Sequence, residues 1–332
     1  MKTRLLGATG LHVSEIGFGC GTGARLMIDG APDAQVGAVR SALDAGITYF
    51  DTAPIYGAGR SETSLGRALR VLGANVTVAT KVALELGDLD DIAGATVASI
   101  EASLRRLGRE HVNVVHLHNR VARQRSAKSD LGVGAMLTID DILGPNGVVP
   151  GFRIAKQRGW ADWFGCCSYG GETAGLEVLI DSGMFDTMLV HYSMLNQTAF
   201  IRGGESGERD YGGVAARAAA RGMGISNLRV LEAGLLADNS RERAKPEYAR
   251  EAERARSLDP LRENGSLTET AIRFALSNPA VSTVLIGVSE VAHVEAAVAA
   301  EACGPLPAST LAEIERRRAA GFPSSPSRGA LC

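Results

Sequence analysis

Apolar residues along this chain gather in short, β-branched runs, and the stretches between the runs carry theirs at helical spacing. The runs are "VSEIGFGCG" (13–21), "TYFDTA" (48–53), "NVTVATKV" (75–82), "VNVVHLHN" (112–119), "WFGCCSY" (163–169), "TMLVHYS" (187–193), "GISNLRVL" (224–231) and "VSTVLIGV" (281–288). Among the intervening stretches, "DAQVGAVRSALDAG" (33–46), "SETSLGRALRVLG" (61–73) and "DIAGATVASIEASLRRLG" (91–108) read as amphipathic helices. They end on Gly46, Gly73 and Gly108, where a left-handed cap needs no side chain. Eight strand-plus-helix units in alternation predict a parallel sheet, and eight is the number that closes into a barrel. The alternative, an open doubly wound sheet, would carry GxGxxG at its first helix, and none is there.

Three stretches break the rhythm: 120–147, 195–212 and 232–265. All follow strand C-termini, where a barrel places its active-site loops, and all are too long for simple connectors. The length of 332 residues suits one domain, a (β/α)8 TIM barrel over 1–332 with long C-terminal-face loops and a mobile tail at 322–332. Apolar residues make up 45% of the chain, enough for a sizeable core. Net charge is −2 with the signs interspersed, so no basic surface for nucleic acid is expected. No window approaches the ~18 uncharged apolar residues of a membrane span, and "MKTRLLGATGLHVSE" has no signal-like apolar run. A cytoplasmic protein is the expectation. The cysteines (Cys20, Cys166, Cys167, Cys303, Cys332) are odd in number and none are spaced CxxC, which fits a reducing compartment.

In a parallel barrel the strand C-termini converge on one mouth. There the second run supplies Asp51, with Tyr56 on its loop, the third supplies Lys81, and the fourth supplies His116 and His118 on one face. Singly, each has a structural reading: a turn aspartate, a solvated lysine, a pair of core histidines. Their arrival at consecutive strand ends of one barrel is what points to chemistry.

At these residues the chain resembles the aldo-keto reductase superfamily. "GITYFDTAPIYGAGRSETSLGRAL" is similar to that family's signature, "TVATKV" to its lysine strand, and "EHVNVVHLHN" to its histidine strand. "LGATGLHVSEIGFGCG" matches the opening, where the family has an N-terminal β-hairpin closing the barrel floor. The resemblance covers essentially the whole chain and implies a catalytic set of Asp51, Tyr56, Lys81 and His118. It also implies hydride transfer between a nicotinamide and a carbonyl, an alcohol or a sugar hemiacetal. A phenol, with a pKa of about 10, is a poor acid near neutrality. The expected roles are a Lys81 ammonium that lowers the Tyr56 pKa, an Asp51 carboxylate that holds Lys81, and a His118 that orients the substrate oxygen. Alignment leaves His116 deeper, as a packing group.

The resemblance further implies NAD or NADP held by Gly19, Cys20, Gly21, Asp51, Cys167, Ser168, Arg229, Leu231, Gly287, Ser289 and His293. Leu189 and Leu228 stand where the family usually has a glutamine and an aromatic stacking on the nicotinamide, with Tyr169 or Tyr192 as substitutes. The segment 285–297 lacks the family's usual Lys and Arg for a 2′-phosphate, so NAD or dual use is expected unless Arg241 or Arg243 folds over. "GLHVSEIGFG", "HYSMLNQ" and "NLRVLEAGLLAD" resemble the branch holding aldose and galactose dehydrogenases. Two other readings stand beside this one. A metal-dependent barrel hydrolase would use His116 and His118 as ligands, but needs further ligands on later strands, where His191 is the only histidine. A cofactor-binding regulatory subunit of the same fold is the other.

Overall fold

The computed structural model describes residues 1–127, 133–204, 209–238 and 246–322. Arg241, Arg243 and Cys332, and nearly all of the tail expected at 322–332, lie outside them. The chain opens with an antiparallel hairpin, β1 (Thr3–Leu5) and β2 (His12–Ser14). The first apolar run is therefore divided. Val13 belongs to the hairpin, and the first barrel strand is β3 (Ile16–Gly19). Ser14 stands at the break: its amide donates to Thr48 Oγ1 at 3.0 Å and its hydroxyl to Ile16 O at 2.6 Å.

Strands β4 (Tyr49–Asp51), β5 (Thr77–Val82) and β6 (Val112–Leu117) follow. A short parallel pair, β7 (Arg120–Val121) and β8 (Met136–Leu137), lies outside the barrel. Then come β9 (Ala161–Cys167), β10 (Thr187–His191), β11 (Gly224–Leu228) and β12 (Thr283–Gly287). The order β3-β4-β5-β6-β9-β10-β11-β12 closes on itself, with Gly19 paired to both Asp51 and Gly287. Each of the eight apolar runs contributes one barrel strand.

The helices stand where the spacing places them, at Pro32–Asp44, Arg60–Val71 and Ile92–Leu107. In the last, Asp91 caps the start by accepting from Gly94 N, and Ile92, Thr96, Ile100, Ser103, Leu104 and Leu107 are buried at steps of three and four. Gly46, Gly73 and Gly108 all have positive φ, as helix-terminating residues require. The 232–265 stretch is not wholly a loop: it holds a helix at Ala249–Arg256. That helix buries only Ala252 and Ala255, so the sequence has no large apolar stripe to announce it. The 120–147 stretch likewise forms a helical turn at Ile139–Leu143, started by a Thr138–Asp141 capping box.

Two apolar layers result. One lies between barrel and helices. The other fills the barrel, where Leu6 and Val13 of the hairpin meet Tyr49, Ala79, Val114, Cys167, Leu189 and Leu285. With the hairpin against one end of the barrel, the strand C-termini are left to form the mouth.

Candidate active site

Alternation along β5 turns Ala79 and Lys81 to the barrel interior, and Tyr49 and Asp51 do the same on β4. Lys81, only 1% exposed, donates from Nζ to Asp51 Oδ2 at 2.6 Å and to Thr52 O at 2.7 Å. The same Nζ lies 4.9 Å from the centroid of the Tyr56 ring. His118 meets that ring edge-on, with centroids 5.9 Å apart. Asp51, Tyr56, Lys81 and His118, the set that the resemblance implies, thus form one contiguous cluster. Tyr56 and His118 are half-buried at the mouth, and Lys81 and Asp51 are sealed beneath.

The Asp51 carboxylate pushes the Lys81 pKa up, so the lysine remains an ammonium. Burial pushes the Tyr56 phenol up to about 12, against the pull of Lys81. The expected lowering is present as a contribution, but desolvation outweighs it. His118 is held well below the usual histidine range by burial, then by Lys81 and Arg120, so its imidazole is neutral.

His116 sits one layer deeper, fully buried, with Nε2 3.1 Å from Thr187 Oγ1. Burial lowers its pKa to about 3. Gly165 on the neighbouring strand makes the room, since a Cβ there would stand 2.3 Å from both the His116 ring and Thr187 Oγ1. Among the described residues no three His, Cys, Asp or Glu side chains converge as a set of metal ligands.

The structure distributes the residues expected around a dinucleotide unevenly, and Leu231 packs against the core between barrel and helices. Gly21 faces the phenol ring: a Cβ there would be 3.9 Å from Tyr56 Cζ. Cys20 turns its thiol into the core, so only its backbone can border a ligand; its carbonyl is held by Ser61 Oγ at 3.0 Å. Ser168 is fully buried and its hydroxyl has no protein partner, which leaves a donor and acceptor for a ligand amide. Cys167 faces inward above Leu189, and Leu228 is half-buried over the same cluster. Of the two proposed substitute aromatics, Tyr192 is excluded by geometry: it packs outside the barrel between Phe200 and Phe274. Tyr169 is at the mouth, with the Arg229 guanidinium 5.3 Å from its ring centroid. Gly287 is exposed beside Ala24. Ser289 and Glu290 both engage His293, at 3.2 and 3.5 Å, and residues 281–302 contain no Lys or Arg.

The structure adds a cluster that the sequence did not disclose. His191, paired in register with Leu228, shares a 2.5 Å hydrogen bond through Nε2 with Glu232 Oε1 and lies 3.2 Å from Tyr211 OH through Nδ1. Ser193 Oγ donates to the same carboxylate oxygen at 2.5 Å. These contacts pin a loop in which Arg229, Glu232 and Ala233 all have positive φ, an uncommon run for residues with a Cβ. Arg120 is buried too, donating from Nε to Tyr169 O at 3.0 Å. It lies so close that a Cβ on Gly170 (φ 91°) would be 2.1 Å from Nε. His191 at a strand end was the one readable signal. Its partner is 41 residues away and held by backbone torsions that no periodicity reports.

A family model described as the aldo/keto reductase family matches residues 15–318. The chain belongs to the aldo/keto reductase family. It is therefore an oxidoreductase that works with a nicotinamide cofactor. L-Galactose dehydrogenase from Arabidopsis thaliana is 29% identical over 333 aligned positions, covering 95% of this chain and 93% of that protein. Aldo-keto reductase YhdN from Bacillus subtilis is 34% identical over 125 positions, 36% of this chain and 38% of that one. Among solved structures, the holo form of aldo-keto reductase AKR11C1 from Bacillus halodurans superposes with a TM-score of 0.74 at 22% identity, covering 99% of each chain. That likeness concerns the fold. Among the described residues no helix is long and apolar enough to cross a membrane.

Proposed function

We propose that this aldo/keto reductase oxidises an aldose-type hemiacetal, or reduces the corresponding carbonyl, with Tyr56 as the general acid or base. The observation that carries the reading is the buried Asp51–Lys81 pair lying directly under a half-buried phenol whose ring stands perpendicular to a neutral imidazole. The sugar assignment rests on the similarity to the plant L-galactose dehydrogenase along nearly the whole of both chains.

A bound nicotinamide supplies the hydride acceptor or donor, and Gly19, Gly21, Ser168, Arg229, Leu231, Gly287, Ser289 and the backbone of Cys20 are the residues that would hold it. In reduction, Tyr56 OH delivers its proton to the oxygen that becomes the alcohol. In oxidation the Tyr56 phenolate oxygen takes that proton back from the substrate hydroxyl as the hydride leaves for the nicotinamide. Lys81 favours the phenolate side of that exchange, and Asp51 keeps the lysine charged in a site that excludes water. The neutral His118 hydrogen-bonds the reacting oxygen and fixes its direction towards the phenol. Cys167 and Cys20, their thiols pushed up by burial, stay protonated and take no part.

At the adenosine end, Ser289, Glu290 and His293 occupy one another, and no guanidinium or ammonium stands in 281–302. This supports NAD, or use of both cofactors, over strict NADP use. The decisive experiment is a screen of aldoses with NAD and NADP and of aldehydes with NADH and NADPH, run beside Tyr56→Phe. Tyr56→Phe should lose ~10²–10⁴-fold in turnover while still binding cofactor. Near-normal turnover in that variant would sink the assignment, and activity confined to simple aldehydes would remove the sugar.

A further inference from the structure

Behind the loop that carries Tyr56, a cavity of about 270 Å³ opens on the outer side of the barrel, beside the helix Arg60–Val71. Arg60, Arg67 and Arg106 line it, together with Thr63, Ser64 and Gln35. The charge there is unevenly balanced. Arg106 donates from Nε to Glu62 Oε2 at 2.5 Å, and Glu62 is fully buried and also takes the Thr80 hydroxyl at 2.6 Å. Arg60 reaches Asp29 at 2.8 Å, but Asp29 is shared with Arg25.

Arg67 has neither carboxylate. Its one hydrogen bond among the described residues is from Nη2 to the amide oxygen of Gln35, and its Nε is buried with no acceptor. Four guanidinium groups therefore stand against two carboxylates, and Arg67, one of the three that line the cavity, pairs with neither. A half-buried guanidinium that keeps unused donors is complementary to an oxyanion, which such a fork can bind through two parallel hydrogen bonds.

We propose that this cavity binds a small oxyanion of phosphate chemistry, with Arg67 as its principal contact and Arg60 and Arg106 completing the cationic wall. The site is separate from the Ser289–His293 segment, and it touches the loop before the helix through Ala58 and Gly59, two and three residues beyond Tyr56. Its occupant is inorganic phosphate or the phosphate group of a small metabolite.

Calorimetric titration of the full chain, saturated with NADH so that the dinucleotide site is filled, tests this without reference to turnover. The probes are inorganic phosphate and ribose 5-phosphate, each against chloride at matched ionic strength. One phosphate per chain is expected, weakened at least ~10-fold by Arg67→Gln, since a charged hydrogen-bond pair is lost. Arg67→Lys, which keeps the charge without the fork, should retain part of the affinity, and Ser289→Ala all of it. Tighter binding of the sugar phosphate identifies a metabolite as the occupant, and equal binding identifies phosphate itself. Absence of saturable heat with both probes, unchanged affinity in Arg67→Gln, or loss of binding in Ser289→Ala would each overturn the proposal.

Discussion

Removing the Lys81 ammonium is the perturbation whose consequences follow most directly from the structure. In Lys81→Met the volume is nearly kept, while Asp51 loses its partner at 2.6 Å and Thr52 O loses its donor at 2.7 Å. Asp51 is 5% exposed and its other oxygen already has no partner, so a lone carboxylate would remain with nothing to stabilise it. Breaking such a pair from one side costs ~3–5 kcal/mol. For a chain of this size, that is a fall in Tm of roughly 4–7 °C. The Lys81 pKa is raised in the folded state, so its contribution is complete below the unfolded value of about 10.4 and is lost only as pH climbs through the folded value. The measurement is therefore made at neutral pH. Thermal unfolding by circular dichroism, on Lys81→Met, Asp51→Asn and the double variant, gives a cycle. The double should be more stable than the sum of the singles implies, by about 2 kcal/mol or more, because removing both charges leaves nothing unpaired. Strict additivity, or a loss below ~1 kcal/mol in Lys81→Met, would refute the view that this is a buried and mutually dependent pair.

Separating the two histidines is the next test: His118→Ala should lose turnover with little change in Tm, while His116→Ala should chiefly lower Tm, because it empties the space beside Thr187. The opposite pattern in activity and melting would mean that His116 is the group facing substrate. Because burial pushes Tyr56 up to about 12, oxidation, which needs the phenolate, should climb about tenfold per pH unit between pH 7 and 9, while reduction, which uses the neutral phenol, stays level. A plateau in the oxidative profile below pH 8 contradicts that environment for the phenol. Fluorescence titration should show NADH binding at least as tightly as NADPH, and Ser289→Arg should shift the preference towards NADPH. Tenfold tighter NADPH binding by the unmodified chain would refute the cofactor reading.

Much of this protein is local and therefore legible in the amino-acid sequence alone. The eight strands follow from short apolar runs set between helix-like stretches, and three of the helices from apolar residues at steps of three and four, each stopped by a glycine that accepts positive φ. Asp51, Lys81 and the pair His116 and His118 were readable because a parallel barrel sends every strand C-terminus to one mouth, whereas the choice between the two histidines came from the family resemblance. Other features depend on distances in space that sequence spacing does not encode. The helix Ala249–Arg256 hid because alanines alone make its buried face. Tyr169 and Tyr192, equivalent as candidates in the sequence, are divided by the barrel wall. The Glu232–His191 contact joins residues 41 apart through a loop of left-handed residues. The Tyr56 phenol, expected to be more acidic beside Lys81, is less so, because desolvation depends on everything packed around the ring and the ammonium is only one neighbour.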